Sequence, residues 1–450
     1  MIIQSSVLLI GMVLSCATPA VGEELETQAL AAMLSSMNFM RSIATNGGYV
    51  GIYAQDLSKR YGEALYEEAN SDQIWVQPPG TPTVGSCYLS AWRVTGDQRF
   101  LDAAGDVGRA LCWGQRKEGG WDHLVDVSHF TPSSIRPERK SGRCTLDDDI
   151  TQGALNFLYE LDEVLDEQWL DESIELAHQF MIDSQFDNGA WPQWYPLIGG
   201  YHDYYTFNDN TINDCIMVML RAHMQYGNNA YLECARRGGD FIILSQLPDP
   251  QAGWAQQYSH DMKPAWARAF EPPAVCSAVT ARNVRTLVQL YAYTGDERYL
   301  SPIPRALAWL DSSRIGDNLW ARMYEVGTNR PIYGDRDSKV HYTLEEISEE
   351  RRNGYSWQSG WGDQAFRDYR LLREEGRDAF NIRSGRESDD IHSPERLARI
   401  ESVASDAIAS MNPKGQWIDS ADGMIHVADF VRKFSALCVY LDYVGEENKR

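Results

Sequence analysis

The sequence predicts an all-α fold, an (α/α) toroid or barrel of repeated helical hairpins with long aromatic-rich loops. Three observations carry this reading. Four tryptophans, Trp121, Trp191, Trp254 and Trp320, recur 70, 63 and 66 residues apart. Each closes a block that reads helix, turn, helix, loop, and the helical stretches carry apolar residues at helical spacing. Such hairpins bury their apolar stripes only by stacking on one another, as an open solenoid or as a closed ring. Few repeats and a long loop after each second helix favour the ring, with a groove on one face.

Taken in order, the chain opens with MIIQSSVLLIGMVLSCATPAVGEE. An apolar stretch, then small residues, then acids is the pattern of a secretory signal peptide over residues 1–22. The mature chain is therefore expected to be secreted or periplasmic, and Leu14-Ser15-Cys16 leaves a lipid anchor at Cys16 open. Removing that segment leaves seven of the 8 cysteines, an odd number, and none stands in a C-x-x-C pair. Residues 27–77 are read as an additional helical layer. In the second block Ala154, Leu158, Leu161 and Leu165 line one helical face, as Val284, Leu287, Val288 and Tyr291 do in the fourth. The turns T-G-D at 95–97, Y-G-N-N at 226–229 and T-G-D at 294–296 supply glycine where a helix stops. The ring is assigned to residues 27–365, and 366–450, charged at first and then helical, is read as a C-terminal helical appendage.

Charge excludes whole classes of partner. Against 41 Lys and Arg stand 64 Asp and Glu, a net charge of −23, which disfavours nucleic acid and anionic membrane surfaces. No apolar run long enough to span a membrane follows the N-terminus. The chain carries no G-x-S-x-G, H-E-x-x-H, P-loop or G-x-G-x-x-G, so serine-hydrolase, zincin, nucleotidase and dinucleotide chemistry are set aside. A monomer acting on a polymer is the expectation.

Chemistry concentrates in the loops. The turns T-L-D-D-D-I-T at 145–151 and T-F-N-D-N-T at 206–211 occupy the same place in successive repeats. Setting Thr145 against Thr206 matches Asp147 with Asn208, Asp148 with Asp209 and Asp149 with Asn210. In a toroid both turns point to one rim and offer the oxygen donors that Ca²⁺ takes, although such residues before a helix also serve as N-caps. The segment WPQWYPLIGGYHDYYTF at 191–207 offers flat rings, Trp191 and Tyr195 among them, on which sugars stack. Lys263, Arg268, Arg322 and Arg336 lie in loops of a very acidic protein. They suit either an acidic sugar polymer or internal pairing, Arg268 with Glu271 and Arg336 with Asp335 or Asp337.

The ordered series N-G-A-W-P-Q-W-Y-P, T-F-N-D-N, K-P-A-W-A-R-A-F-E-P-P, N-R-P-I-Y-G-D-R-D and Y-T-L-E-E-I-S-E-E-R-R-N-G-Y-S-W resembles the pectate lyases of polysaccharide lyase family 10, from about residue 27 to Trp361. The resemblance implies an (α/α)-toroid enzyme that cleaves polygalacturonate by Ca²⁺-assisted anti β-elimination, giving 4,5-unsaturated oligogalacturonides. It further implies Asp209 and Asp147, Asp148 and Asp149 at the Ca²⁺ and carboxylate site, Arg268 as the Brønsted base, and Arg322, Arg336 and Lys263 as carboxylate ligands. Arginine as a base runs against its reference pKa of about 12.5 or more, so an alkaline rate optimum is expected. Two other readings stand beside it. An (α/α)-barrel glycoside hydrolase would draw on Asp122, Asp148, Asp209 or Glu271, and a non-catalytic carbohydrate-binding protein would use the same aromatics without cleavage.

Overall fold

Local signals set each hairpin. In the computed structural model, which describes residues 21–128, 138–384 and 394–447, the helices are α1 (Val21–Ile43), α2 (Thr81–Thr95), α3 (Gln98–Gly114), α4 (Ile150–Asp162), α5 (Gln168–Asp183), α6 (Thr211–Tyr226), α7 (Asn229–Leu244), α8 (Ser277–Thr294), α9 (Ile303–Ser312), α10 (Glu349–Gly354), α11 (Gly362–Ser384), α12 (Pro394–Ala409) and α13 (Val427–Glu447). The signal peptide expected at 1–22 and the anchor at Cys16 fall almost entirely outside the described residues. α2, α6 and α8 end at Gly96, Gly227 and Gly295, whose φ of 68°, 70° and 72° are left-handed and whose N–H groups donate to the carbonyls of Trp92, His223 and Tyr291. The next helices of the first and third hairpins start on Asp97 and Asn228, whose side chains accept from the N–H groups of Arg99 and Ala230. Each such cap stabilises by about 1 kcal/mol.

Packing then stacks the hairpins. α2 lies on α3, α4 on α5, α6 on α7 and α8 on α9, while α2, α4, α6, α8 and α11 follow one another as neighbours. α13 packs on both α2 and α1, so the two ends of the chain meet and the fold is the (α/α) toroid expected from the repeats. The described residues of 366–450, the packed helical appendage of the sequence reading, contribute side chains to the same core. Phe430 and Phe434 of α13 meet Tyr88 at 6.1 and 5.9 Å, and Phe434 meets Phe100 at 6.1 Å. Of residues 27–77, expected as a helical layer, only those up to Ile43 are helical. Ile52–Tyr53 and Arg60–Tyr61 form an antiparallel hairpin whose outer partner is Ile425–His426, because Gly47, Gly48 and Gly51 interrupt helical propensity there.

One hydrogen-bond scheme repeats around the ring. The buried indoles of Trp121, Trp191, Trp254 and Trp320 donate to the carbonyls of Leu111, Met181, Ile242 and Leu310 at 2.8, 2.9, 2.7 and 2.6 Å, and Trp417 does the same to Ala407 at 2.8 Å. Two residues after each aromatic, a carbonyl receives the N–H of the residue entering a neighbouring first helix. Gln193 thus takes Leu146, Gln256 takes Phe207, Arg322 takes Ser277, and His123 takes Val76, at 2.8 to 2.9 Å. The residue that follows each repeat tryptophan by two is therefore carried onto one rim.

Candidate active site

On that rim α4 and α6 are entered by matched turns. Asp148 and Asp149 have φ of 53° and 55°, and Asp209 and Asn210 have φ of 45° and 63°, a left-handed pair at the same place in two repeats. Asp and Asn tolerate this conformation better than other side-chain-bearing residues, and strain of this kind gathers at functional sites. Neither Asp149 nor Asn210 caps its helix through its side chain, so capping does not account for them.

The turns bring the carboxylates of Asp147, Asp148 and Asp209 together, with oxygens within 4.8 Å of one another. The Thr211 hydroxyl donates to Asp147 at 3.1 Å, and the Asn208 amide donates to Asp209 at 2.5 Å. Burial, and then the charges of Asp209 and Asp148, push the Asp147 carboxyl well above its ordinary value. Burial and the Asp209 charge push Asp148 up to about 6, and burial outweighs the Arg268 charge in raising Asp209. Carboxylates this close ionise together only beside a cation. Asn208, 3% exposed, lines the cavity next to Asp209, and its buried side-chain carbonyl oxygen accepts no hydrogen bond. An all-oxygen donor set of this kind fits Ca²⁺. Asp149 does not join it. Its carboxyl is pushed up to about 7 by burial and by Asp214, beside Arg282, because consecutive left-handed residues send successive side chains in different directions.

The basic side faces this cluster. Arg268 forms a two-point pair with Glu271 at 2.8 and 2.6 Å, and its Nη2 stands 3.8 Å from Asp209. Glu271, 2% exposed, also accepts from Gln256 at 2.8 Å and Tyr355 at 3.0 Å. Burial opposes the Arg268 charge, but the Glu271 hydrogen bonds and charge more than offset it and hold the guanidinium above its ordinary value. Arg322 shares a 330 Å³ cavity with Asp209 and Trp361, lies over the rings of Tyr355 and Trp361 at 4.7 and 5.2 Å, and donates through Nε to Ser356. Arg336 pairs with Glu350 at 3.1 and 3.2 Å rather than with Asp335 or Asp337 through its side chain. Its guanidinium and that of Arg268 lie 5.8 and 5.1 Å from the same Phe270 ring. Lys263 is exposed in the turn that follows Tyr258, its backbone carbonyl accepting from Ser259.

Two aromatic expectations change. Trp191 is wholly buried and belongs to the core, since its indole is the repeat's internal donor, so it presents no face to a sugar. Tyr195 is half-buried with its ring edge against Phe180. The aromatic stack beside them is the half-buried Trp194, with His202 at 3.4 Å and the Arg143 guanidinium at 4.3 Å. Sequence reasoning also missed His123, Gln193 and Gln256. Extending the repeat alignment two residues past each tryptophan places all three in register with Arg322.

Residues 115–318 and 312–366 match the pectic acid lyase family. The chain belongs to that family. The lyase is similar in fold to two structures of a family 10 polysaccharide lyase from Cellvibrio cellulosa. One, a mutant in complex with trigalacturonic acid, aligns with a TM-score of 0.51 and 22% identity over 65% of this chain and 98% of that one. The other aligns with a TM-score of 0.51 and 22% identity over 66% and 97%. No curated protein sequence matches the lyase. As a member of this family it is a polysaccharide lyase, and no helix among its described residues is long and apolar enough to cross a membrane.

Proposed function

We propose that this lyase acts outside the cell as a monomer on polygalacturonate, cleaving it by Ca²⁺-assisted anti β-elimination to 4,5-unsaturated oligogalacturonides. The observation that carries the reading is the juxtaposition of the Asp147, Asp148 and Asp209 carboxylates with Arg268, 3.8 Å from Asp209. Asp147, Asp148, Asp209 and the Asn208 carbonyl would hold the cation. When bound, it offsets the carboxylates and withdraws charge from the uronate carboxylate, which acidifies the C5 proton.

The chain's own side chains do the rest. Arg322, Arg336 and Lys263 bind uronate carboxylates, Arg322 with its guanidinium plane fixed on Tyr355 and Trp361. Arg268 takes the C5 proton. The C–H electron pair becomes the C4–C5 double bond, the C4–O4 bond breaks, and O4 departs with a proton from solvent. Arg268 accepts a proton only when its guanidinium is neutral, and Glu271 opposes that state, so the rate rises towards alkaline pH.

The test is ultraviolet absorbance during incubation with polygalacturonate at alkaline pH, with Ca²⁺ and then with chelator. A rise that chelator abolishes is expected. New reducing ends without absorbance would make the enzyme a hydrolase, and neither signal from the folded chain would leave a binding protein.

A further inference from the structure

The hairpin at residues 52–61 stands on the active rim by the same scheme that places the site loops. It follows Tyr49, which holds in the α13–α1 hairpin the place that tryptophan holds elsewhere. The Thr45 N–H bonds the Gly48 carbonyl as Phe186 bonds Ala190, and the Gly51 carbonyl takes the Val427 N–H as Gln193 takes that of Leu146.

The loop it carries, residues 61–69, is held firmly. Gly62 N–H donates to Glu67 O, Glu67 N–H to Ala64 O and Ala69 N–H to Arg60 O, all at 2.9 Å, and Glu63 N–H donates to the Glu67 carboxylate at 3.0 Å. Gly62 is pressed on Trp75, where a Cβ would come within 2.4 Å of the ring. At the tip Leu65 is 52% exposed and Tyr66 85% exposed. Among the described residues the Tyr66 ring stacks on no other aromatic and its hydroxyl makes no hydrogen bond. The loop borders the site rim, since Gly62 packs on Trp75, whose ring lies 5.5 Å from that of His123.

An exposed tyrosine on that rim offers the flat apolar face on which the C–H face of a sugar stacks. Its surroundings choose among sugars. Glu63 and Glu68 are exposed beside it. Carboxylates accept hydrogen bonds from sugar hydroxyls but repel a uronate. We infer that the 61–69 loop forms a subsite flanking the cleavage position that accepts an uncharged galacturonosyl unit, one whose carboxyl is methyl-esterified, with Tyr66 as its platform. This rests on the proposed lyase reading of the neighbouring site, and the loop itself precedes the residues that match the family.

The experiment measures kcat/KM on polygalacturonate and on partly methyl-esterified galacturonan. Tyr66→Ala is expected to lose about five-fold on the esterified polymer and less than about two-fold on polygalacturonate, with Tyr66→Phe restoring the difference. Glu63→Gln with Glu68→Gln is expected to shift preference towards polygalacturonate. A Tyr66→Ala enzyme with both polymers unchanged, or both reduced alike, overturns the inference, as does an unchanged preference in the glutamine variant. Near-ultraviolet circular dichroism separates lost folding from lost binding. A wild-type enzyme that releases no unsaturated product from either polymer overturns the lyase reading itself, and this inference with it.

Discussion

In the proposed mechanism Arg268 is the residue on which the chemistry turns, and its surroundings make a specific demand. Glu271 is buried and bonded to Gln256, Tyr355 and Arg268 together, so it stays charged and keeps the guanidinium charged. Arg268→Ala is expected to lower kcat by at least about a hundred-fold while KM changes little, because the general base contributes in the transition state. Steady-state rates on polygalacturonate check this, and an unchanged kcat would remove Arg268 from proton transfer. The residue scale was only partly legible in the sequence. The matching of Asp148 with Asp209 survives in the three-dimensional site because both sit in the same left-handed turn of the repeat. The repeat alignment that matches Asp149 with Asn210 puts Asp149 in the same set, whereas the converging carboxylates are those of Asp147, Asp148 and Asp209. Trp191 was assigned to the sugar by composition, whereas its indole is committed to Met181.

At the scale of the element, the repeat is one helical hairpin sealed by a tryptophan whose ring fills the space behind it and whose N–H satisfies a carbonyl at the end of the second helix. Trp417 plays this part after α12, 2% exposed and bonded to Ala407. It stands 97 residues after Trp320, outside the 63 to 70 residue spacing of the others, so the period of the four repeats does not reveal it. Trp417→Ala is expected to cost about 3–5 kcal/mol, the range for removing a buried large aromatic. Urea denaturation measures it, and a loss within experimental error would show that the C-terminal helices are dispensable to the core. Helix ends were legible because glycine and Asp or Asn have local reasons to stand there. The two-residue strands along the rim were not, since each exists only by pairing with a segment distant in the chain.

For the molecule as a whole, the rim is a place where the fold buries carboxyls that water would otherwise ionise. Asp148 and Asp149 are raised to about 6 and about 7, burial being the largest cause in each. A carboxyl raised in the folded state keeps a proton that the unfolded chain has lost, so between about pH 4 and pH 7 the chelated protein loses stability as pH rises. Thermal melting in chelator is expected to show Tm falling from about pH 5 to about pH 8, and Ca²⁺ is expected to raise Tm more at the higher pH, where the carboxylates it binds are ionised. An equal Ca²⁺ shift at both pH values would separate the cluster from cation binding. The sequence by itself determined the helical hairpin, its period, its glycine stops and the family, because each is written in residues a few positions apart. Only the tertiary structure decided that α13 and α1 form a hairpin of the ring, which tryptophans are core, and that three of four candidate aspartates converge. Those outcomes depend on packing between elements far apart in the chain, such as α13 on α1 and α2, which no local pattern connects.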